Sequence, residues 1–260
     1  MSARRGLPPR QDTAGGTTHF GYEEVPVGDK AERVRGVFDS VARRYDLMND
    51  VMSAGLHRLW KRFAVHVAGV RSGERVLDLA SGTADLAALM APHVGADGLV
   101  VASDINAAML RQGRMRLTDR GLIHVRYALA DAERLPFDGA SFDCVTIGFG
   151  LRNCTDKAAA LAEMARVLRP GGRLVILEFS TPTLAPLRPL YDLYSFRVLP
   201  LFGRLFAGDA ASYRYLAESI RVHPDQSALA EMIGQAGLER CEVFNLTAGV
   251  VAVHRAYRLA

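Results

Sequence analysis

The stretch Arg75-Val76-Leu77-Asp78-Leu79-Ala80-Ser81-Gly82-Thr83-Ala84-Asp85 decides the fold. A short apolar run breaks on a turn of small residues, and a helical stretch expected over 83–92 follows at once. The same step recurs downstream. Strand candidates are Leu99–Ser103, His124–Leu129, Phe142–Gly148 and Arg173–Glu178, with helical stretches at 106–120 and 155–168 between them. Strand and helix in regular alternation predict an α/β fold built on a doubly wound, seven-stranded, mostly parallel sheet. Pro170-Gly171-Gly172 predicts a sharp helix-to-strand turn. A helix over 225–236 and strands over 238–244 and 250–258, joined by a turn at Leu246–Gly249, complete the pattern.

Residues 1–18 are rich in Gly, Pro, Arg and Thr without hydrophobic period, and predict a disordered tail. Residues 19–72 form a helical cap, in which Val34, Val37, Phe38 and Val41, then Leu56, Leu59, Trp60 and Phe63, recur at helical spacing. Residues 73–260 hold the sheet, interrupted by an aromatic and proline-rich helical insertion over 183–224.

Composition agrees. The chain has 260 residues, 49% hydrophobic and 23% charged, with 24 Gly and 11 Pro, which excludes a disordered, collagen-like or disulfide-scaffold protein. Cys144, Cys154 and Cys241 lack the spacing of a metal site, so no metal is expected. The longest stretch free of Asp, Glu, Lys and Arg, Val243–His254, is 12 residues, short of the roughly 18 that cross a bilayer. A cytoplasmic protein is expected. The net charge is +4, and from Arg33 to Arg62 seven basic residues face three Asp. That cluster is either a solvated helix face or a patch for a membrane or an anionic ligand.

In open parallel sheets ligands bind beyond the carboxyl ends of the strands. A diphosphate cradle would want GxGxxG at the first such end, and only Gly82 is glycine here. The second strand runs into Asp104, 22 residues past Gly82, where a carboxylate can accept both ribose hydroxyls, and Asp131-Ala132 follows the third. An acid-rich, phosphate-poor site suits a nucleoside cofactor carrying positive charge.

This pattern resembles the class I S-adenosylmethionine-dependent methyltransferases. The resemblance places Asp78 near the amino-acid end of the cofactor, packs Gly82 and Thr83 against it, puts Asp104 on the ribose and brings Asp131 to the adenine amine. Two longer blocks, Tyr45–Trp60 and Arg166–Ser180, are similar to the signatures of the ubiquinone/menaquinone biosynthesis C-methyltransferase family. The likeness continues through Phe149-Gly150-Leu151-Arg152-Asn153, Tyr213–Ile220, His223–Gln226 and Asn245–Val251, and covers the chain from about His19 to Ala260. It implies methyl transfer from S-adenosylmethionine to a ring carbon of a polyprenylated quinol, demethylmenaquinol or 2-polyprenyl-6-methoxy-1,4-benzoquinol or both. Family cofactor contacts carry over to Thr83, Asp104, Asp131 and Ala132. Many members have Gly where this chain has Ser81 and Ala84, and a family serine that contacts the cofactor corresponds to Gly148.

Methylating a quinol carbon needs in-line positioning and a ring made electron-rich by ionising its hydroxyl. Arg152 is the first candidate to favour the phenolate, by hydrogen bonding rather than as a base, since arginine stays protonated; otherwise it is a surface or helix-capping arginine. Tyr45 and His57 in the cap are further catalytic candidates, His57 because it titrates near neutrality, although a structural histidine fits the same pattern. Asn49, Tyr191 and Tyr194 are expected to line a groove for the ring and first isoprene units; the alternatives are a helix cap for Asn49 and core packing for the tyrosines. A prenyl tail implies transient contact with the inner face of a membrane, expected from Leu199–Phe206. A homodimer is common among such enzymes. A nucleic-acid methyltransferase is disfavoured, because no Asn/Asp-Pro-Pro-aromatic run and no Pro-Cys pair is present. A small-molecule O-methyltransferase and a non-catalytic cofactor-binding scaffold remain the competing functions.

Overall fold

The computed structural model describes residues 16–41, 50, 53, 55–183, 186 and 210–259. In chain order these form β1 (Thr17–Phe20), β2 (Glu23–Pro26), α1 (Val27–Val41), α2 (His57–Ala68), β3 (Arg75–Leu79), α3 (Asp85–Val94), β4 (Leu99–Asp104) and α4 (Ala107–Asp119). There follow β5 (Arg126–Leu129), β6 (Phe142–Gly148), a 3-10 turn at Leu151–Asn153, α5 (Lys157–Val167), β7 (Leu168–Phe179), α6 (Ala210–Val222), α7 (Gln226–Gln235), β8 (Glu239–Leu246) and β9 (Val251–Tyr257).

Seven strands make one sheet in the order β5-β4-β3-β6-β7-β9-β8. β5 to β7 are parallel, and β9 inserts antiparallel between β7 and β8. The chain winds outward from β3 through β4 to β5, then crosses back to β6 on the other side of β3. That reversal opens a crevice at the carboxyl ends of the central strands.

Strand residues alternate between two apolar layers, as the pleat requires. Val76, Val100, Cys144 and Val175 join Trp60, Ala64 and Met90 from α2 and α3 on one face. Leu77, Val101, Val145 and Ile176 join Leu161 and Met164 from α5 and Ile233 from α7 on the other. Both layers are fully screened, which is why the central strands read as near-continuous apolar runs. The helices start where short polar side chains take up free amides: Asn106 accepts from Ala108 and Met109, Asp156 from Ala159, and Asp225 from Ala228.

Three differences from expectation have local causes. Thr17 and Thr18, read as part of the tail, belong to a hairpin, β1 paired with β2 across Gly21-Tyr22. Its four-residue strands carry little pattern of their own and are held by distant partners: Phe20 stacks on Tyr215 with centroids 4.2 Å apart, and the Tyr22 amide donates to Glu218 Oε2 at 3.2 Å. α1 begins at Val27, before the periodic apolar residues. Pro170-Gly171-Gly172 does not separate helix from strand. β7 already starts at Leu168, pairs with Phe142, and bulges before Arg173 pairs with Cys144. Gly171 takes φ +81° there while its amide donates to the Arg258 carbonyl. Among the described residues of the expected insertion, 210–222 are helical; Leu199–Phe206 lie outside the described residues.

Candidate functional site

The crevice at the strand ends is lined by Leu79, Gly82, Asp104, Asp131, Ala132 and Phe149, among others, and closed by Ala31, Val34 and Arg35 of α1. Asp104 organises it. As the last residue of β4, it accepts from the Gly82 amide at Oδ2 and from the Asn106 amide at Oδ1, each at 2.8 Å. One carboxylate thus ties the loop after β3 to the start of α4. Burial pushes its carboxyl above the usual carboxylate range, against the pull of those amides. Each oxygen keeps a second lone pair for a ligand hydroxyl.

Asp131 follows β5 in a tight turn, accepting the Glu133 amide at 3.0 Å. Glu133 faces the same cleft and accepts the Thr155 amide through Oε1. The lining therefore sets three carboxylates, of Asp104, Asp131 and Glu133, against one cation, Arg35, with an apolar wall of Leu79, Ile105, Met109 and Phe149. A flat, hydroxyl-bearing ligand of net positive charge fits such a wall; a diphosphate does not.

The sequence-predicted residues divide. Gly82, Asp104, Asp131 and Ala132 meet in the cleft. Asp78, Thr83 and Gly148 are not among its lining residues. Asp78 alternates onto the face that α3 covers, is 1% exposed, accepts the Thr146 hydroxyl at 2.7 Å and the Ala87 amide at 3.2 Å, and is pushed up to about 7 by burial. Thr83 is buried under α4, where Gly113 permits the approach: a Cβ on it would stand 2.9 Å from the Thr83 carbonyl carbon. At Gly148 an added Cβ would meet Leu86 Cδ1 at 2.7 Å, so the family's serine would need Leu86 to move.

Arg152 lies in the 3-10 turn after β6, between the cleft residues Gly150 and Asn153, and does not itself line the cleft. Its side chain is 5% exposed; Nη1 donates to Glu178 Oε1 at 2.7 Å and to the Phe149 carbonyl, and the guanidinium lies 5.4 Å from the centre of the Phe179 ring. Glu178 also accepts the Arg152 and Phe179 amides. The pair braces the cleft wall from behind. His57 lines a separate cavity, with Nε2 at 2.9 Å from Asp50 Oδ1, and burial holds its pKa below the usual range. Tyr45, Asn49, Tyr191 and Tyr194 lie outside the described residues.

Sequence reasoning missed the α1 residues, Glu133 and Glu178. For Glu133 a signal existed in Asp131-x-Glu133, two acids on a turn after a strand. For α1 none did, because apolar helix positions read the same against a core or a ligand. Among the described residues no group of His, Cys, Asp and Glu is arranged to hold a metal.

Comparison with known proteins places this geometry in a family. Residues 27–258 match the model described as the ubiE/COQ5 methyltransferase family. The Ubiquinone/menaquinone biosynthesis C-methyltransferase of Methylococcus capsulatus is 63% identical over 243 residues, covering 93% of this chain and 98% of that protein. The protein of the same name from Teredinibacter turnerae is 60% identical over 240 residues, covering 92% and 96%. A solved SAM dependent methyltransferase from Aquifex aeolicus shares the fold at TM-score 0.57 and 15% identity, over 81% of this chain and 96% of that one. The chain belongs to the ubiE/COQ5 methyltransferase family, and it is a methyltransferase.

Proposed function

We propose that this chain is an S-adenosylmethionine-dependent C-methyltransferase of quinone biosynthesis, which methylates a ring carbon of demethylmenaquinol, of 2-polyprenyl-6-methoxy-1,4-benzoquinol, or of both. The observation that carries the reading is the Asp104 carboxylate, tied by two backbone amides and facing a cleft of three acids against one cation. The bound cofactor supplies an activated sulfonium methyl. With the cofactor in this cleft, Asp104 would hold the ribose hydroxyls, Asp131 and Ala132 would meet the adenine edge, and the wall of Leu79, Ile105 and Met109 would exclude water from the base. Glu133 adds negative charge suited to a cationic donor.

The turn from Phe149 to Asn153 forms the wall between cofactor and ring, and Arg152 acts in this reading as the residue that sets it, through Glu178 and the Phe149 carbonyl. His57 lines a different cavity and is bonded to Asp50, so this reading does not assign it the ring proton.

Residues 73–260 are the methyltransferase domain in this reading and 19–72 its cap. Among the described residues no helix is long and apolar enough to cross a membrane. The enzyme then works from the cytoplasm and meets its prenylated substrate at the inner face of the bilayer. The test is direct: purified protein, methyl-labelled S-adenosylmethionine and quinol extracts of a deletion strain, read by mass spectrometry. Label in the quinone ring is expected; label absent from the ring while the cofactor binds normally would leave a cofactor-binding scaffold instead.

A further inference from the structure

Outside the cleft, a second concavity of about 360 Å³ opens where α2, the start of α3 and the end of α4 meet. Its lining carries Arg58, Lys61, Arg62, Arg116 and Arg120 against one acid, Asp85. Asp85 is already engaged: Lys61 Nζ donates to its Oδ2 at 2.6 Å and Arg116 Nη2 to its Oδ1. The two cations hold its carboxyl down at about 2 against the effect of burial, so it stays ionised and shared. Arg58 is paired with Asp50 but its side chain is 65% exposed. Arg62 and Arg120 are exposed and make no ion pair among the described residues. Cations in excess of carboxylates describe a site for an oxyanion.

The rim decides which oxyanion. Leu59, 57% exposed, stands beside Arg62 three positions on, and Leu56, 38% exposed, precedes α2 at the same spacing from Leu59. Nucleic acid offers such leucines nothing, and single strands are held by stacking on Phe, Tyr or Trp, none of which lines the groove. Basic side chains around a pocket with apolar ones at its lip match the boundary between headgroups and acyl chains.

We propose that this groove seats the phosphate of an anionic phospholipid while Leu56 and Leu59 enter the headgroup layer, which makes the first turns of α2 a membrane-docking face. The quinol reading supplies its motive, a substrate whose prenyl tail lies in the bilayer, and the two are separable by experiment. The full chain is sedimented with phosphatidylcholine vesicles that contain or lack phosphatidylglycerol, at low and high salt. Binding is expected only with phosphatidylglycerol and weakens with salt. Arg62→Gln and Arg120→Gln each lower vesicle affinity about fivefold, and together about twenty-fivefold, with an unchanged melting temperature. Leu59→Ser lowers it further.

No binding, equal binding to both vesicle types, or binding indifferent to the arginine pair overturns the proposal. So does a groove that takes inorganic phosphate or an RNA oligonucleotide, with the same variant dependence, while ignoring vesicles. Methyl transfer to a short-chain, water-soluble quinol without vesicles is measured in parallel. Turnover there with no vesicle binding sinks docking alone, and vesicle binding without turnover sinks the quinol reading alone.

Discussion

Asp78 in β3 and Asp104 at the end of β4 stand on adjacent strands, and in the sheet register Asp78 lies beside Ala102, two residues short of Asp104. Those two residues separate a buried carboxyl sealed under α3 from one that faces the cleft. Asp78 is held by the Thr146 hydroxyl and the Ala87 amide, and burial leaves it near the point of protonation at neutral pH. Asp104 sits past the pleated region, where backbone amides from two loops converge on it. Glu178 near the end of β7 is a third case: as buried as Asp78, but neutralised by Arg152. A strand-end acid therefore faces the cleft, becomes a hydrogen-bonded core group or forms half of an ion pair according to its parity and its distance from the end of the strand.

The hardest blow to this contrast is Asp104→Ala. It removes the proposed ribose acceptor and frees two amides, and hydrogen bonds to a charged group are each worth about 1.5–3 kcal/mol. S-adenosylmethionine affinity by calorimetry is expected to fall roughly a hundredfold or more, whereas Asp78→Asn leaves it within about threefold. Equal losses would mean that Asp78 reaches the ligand after all.

Next in size is the buried pair. Arg152→Ala strands Glu178 without its cation, and breaking such a pair costs about 3–5 kcal/mol, measured by denaturant unfolding. Combining Arg152→Met with Glu178→Leu should recover much of that stability without recovering turnover, at near-normal cofactor affinity. Turnover restored along with stability would reduce Arg152 to a structural role.

Asp78 gives a pH signature. Burial pushes its carboxyl up to about 7, above the ordinary carboxylate range, so folding favours the protonated form. The stability this confers is fully present below about pH 4 and is lost as pH rises through 7, a fall on the order of a few kcal/mol. Asp85, held down at about 2, works oppositely and loses its contribution only as pH drops through that value. Melting curves of Asp78→Asn between pH 4 and 8 should therefore decline less than those of the parent chain. Parallel curves would show that Asp78 is ionised and satisfied as it stands.

The sheet was legible because its strands announce themselves: apolar runs of five to seven residues closed by small or acidic ones survive any tertiary detail. That Asp104, Asp131 and Ala132 meet in one cleft was legible for the same reason, since the cleft's position follows from topology. Asp78 is kept from the cleft because it shares Asp104's side of the sheet but lies two residues earlier, under α3, and the run Val76–Leu79 does not show how far that helix reaches. The β1–β2 hairpin was hidden because its stability comes from Tyr215 and Glu218, nearly two hundred residues away. Arg152 was picked for its chemistry, but its partner Glu178 reads in sequence as the polar end of an apolar strand.

The smallest effect tests the loop between the two aspartates. Ala84 precedes α3 with φ +63°, a left-handed conformation that glycine adopts without strain. That conformation costs an alanine about 1–2 kcal/mol. Its methyl group is fully buried, and losing one buried carbon gives back about 0.8 kcal/mol of that gain. Ala84→Gly should thus stabilise the fold by no more than about 1 kcal/mol, read as a small rise in melting temperature. Because the Gly82 amide of this same loop is held by Asp104, the loop's conformation also sets how firmly that carboxylate is placed. A stabilised variant with unchanged cofactor affinity places the strain outside the site, while weaker binding would mean that the alanine methyl braces Gly82 against Asp104.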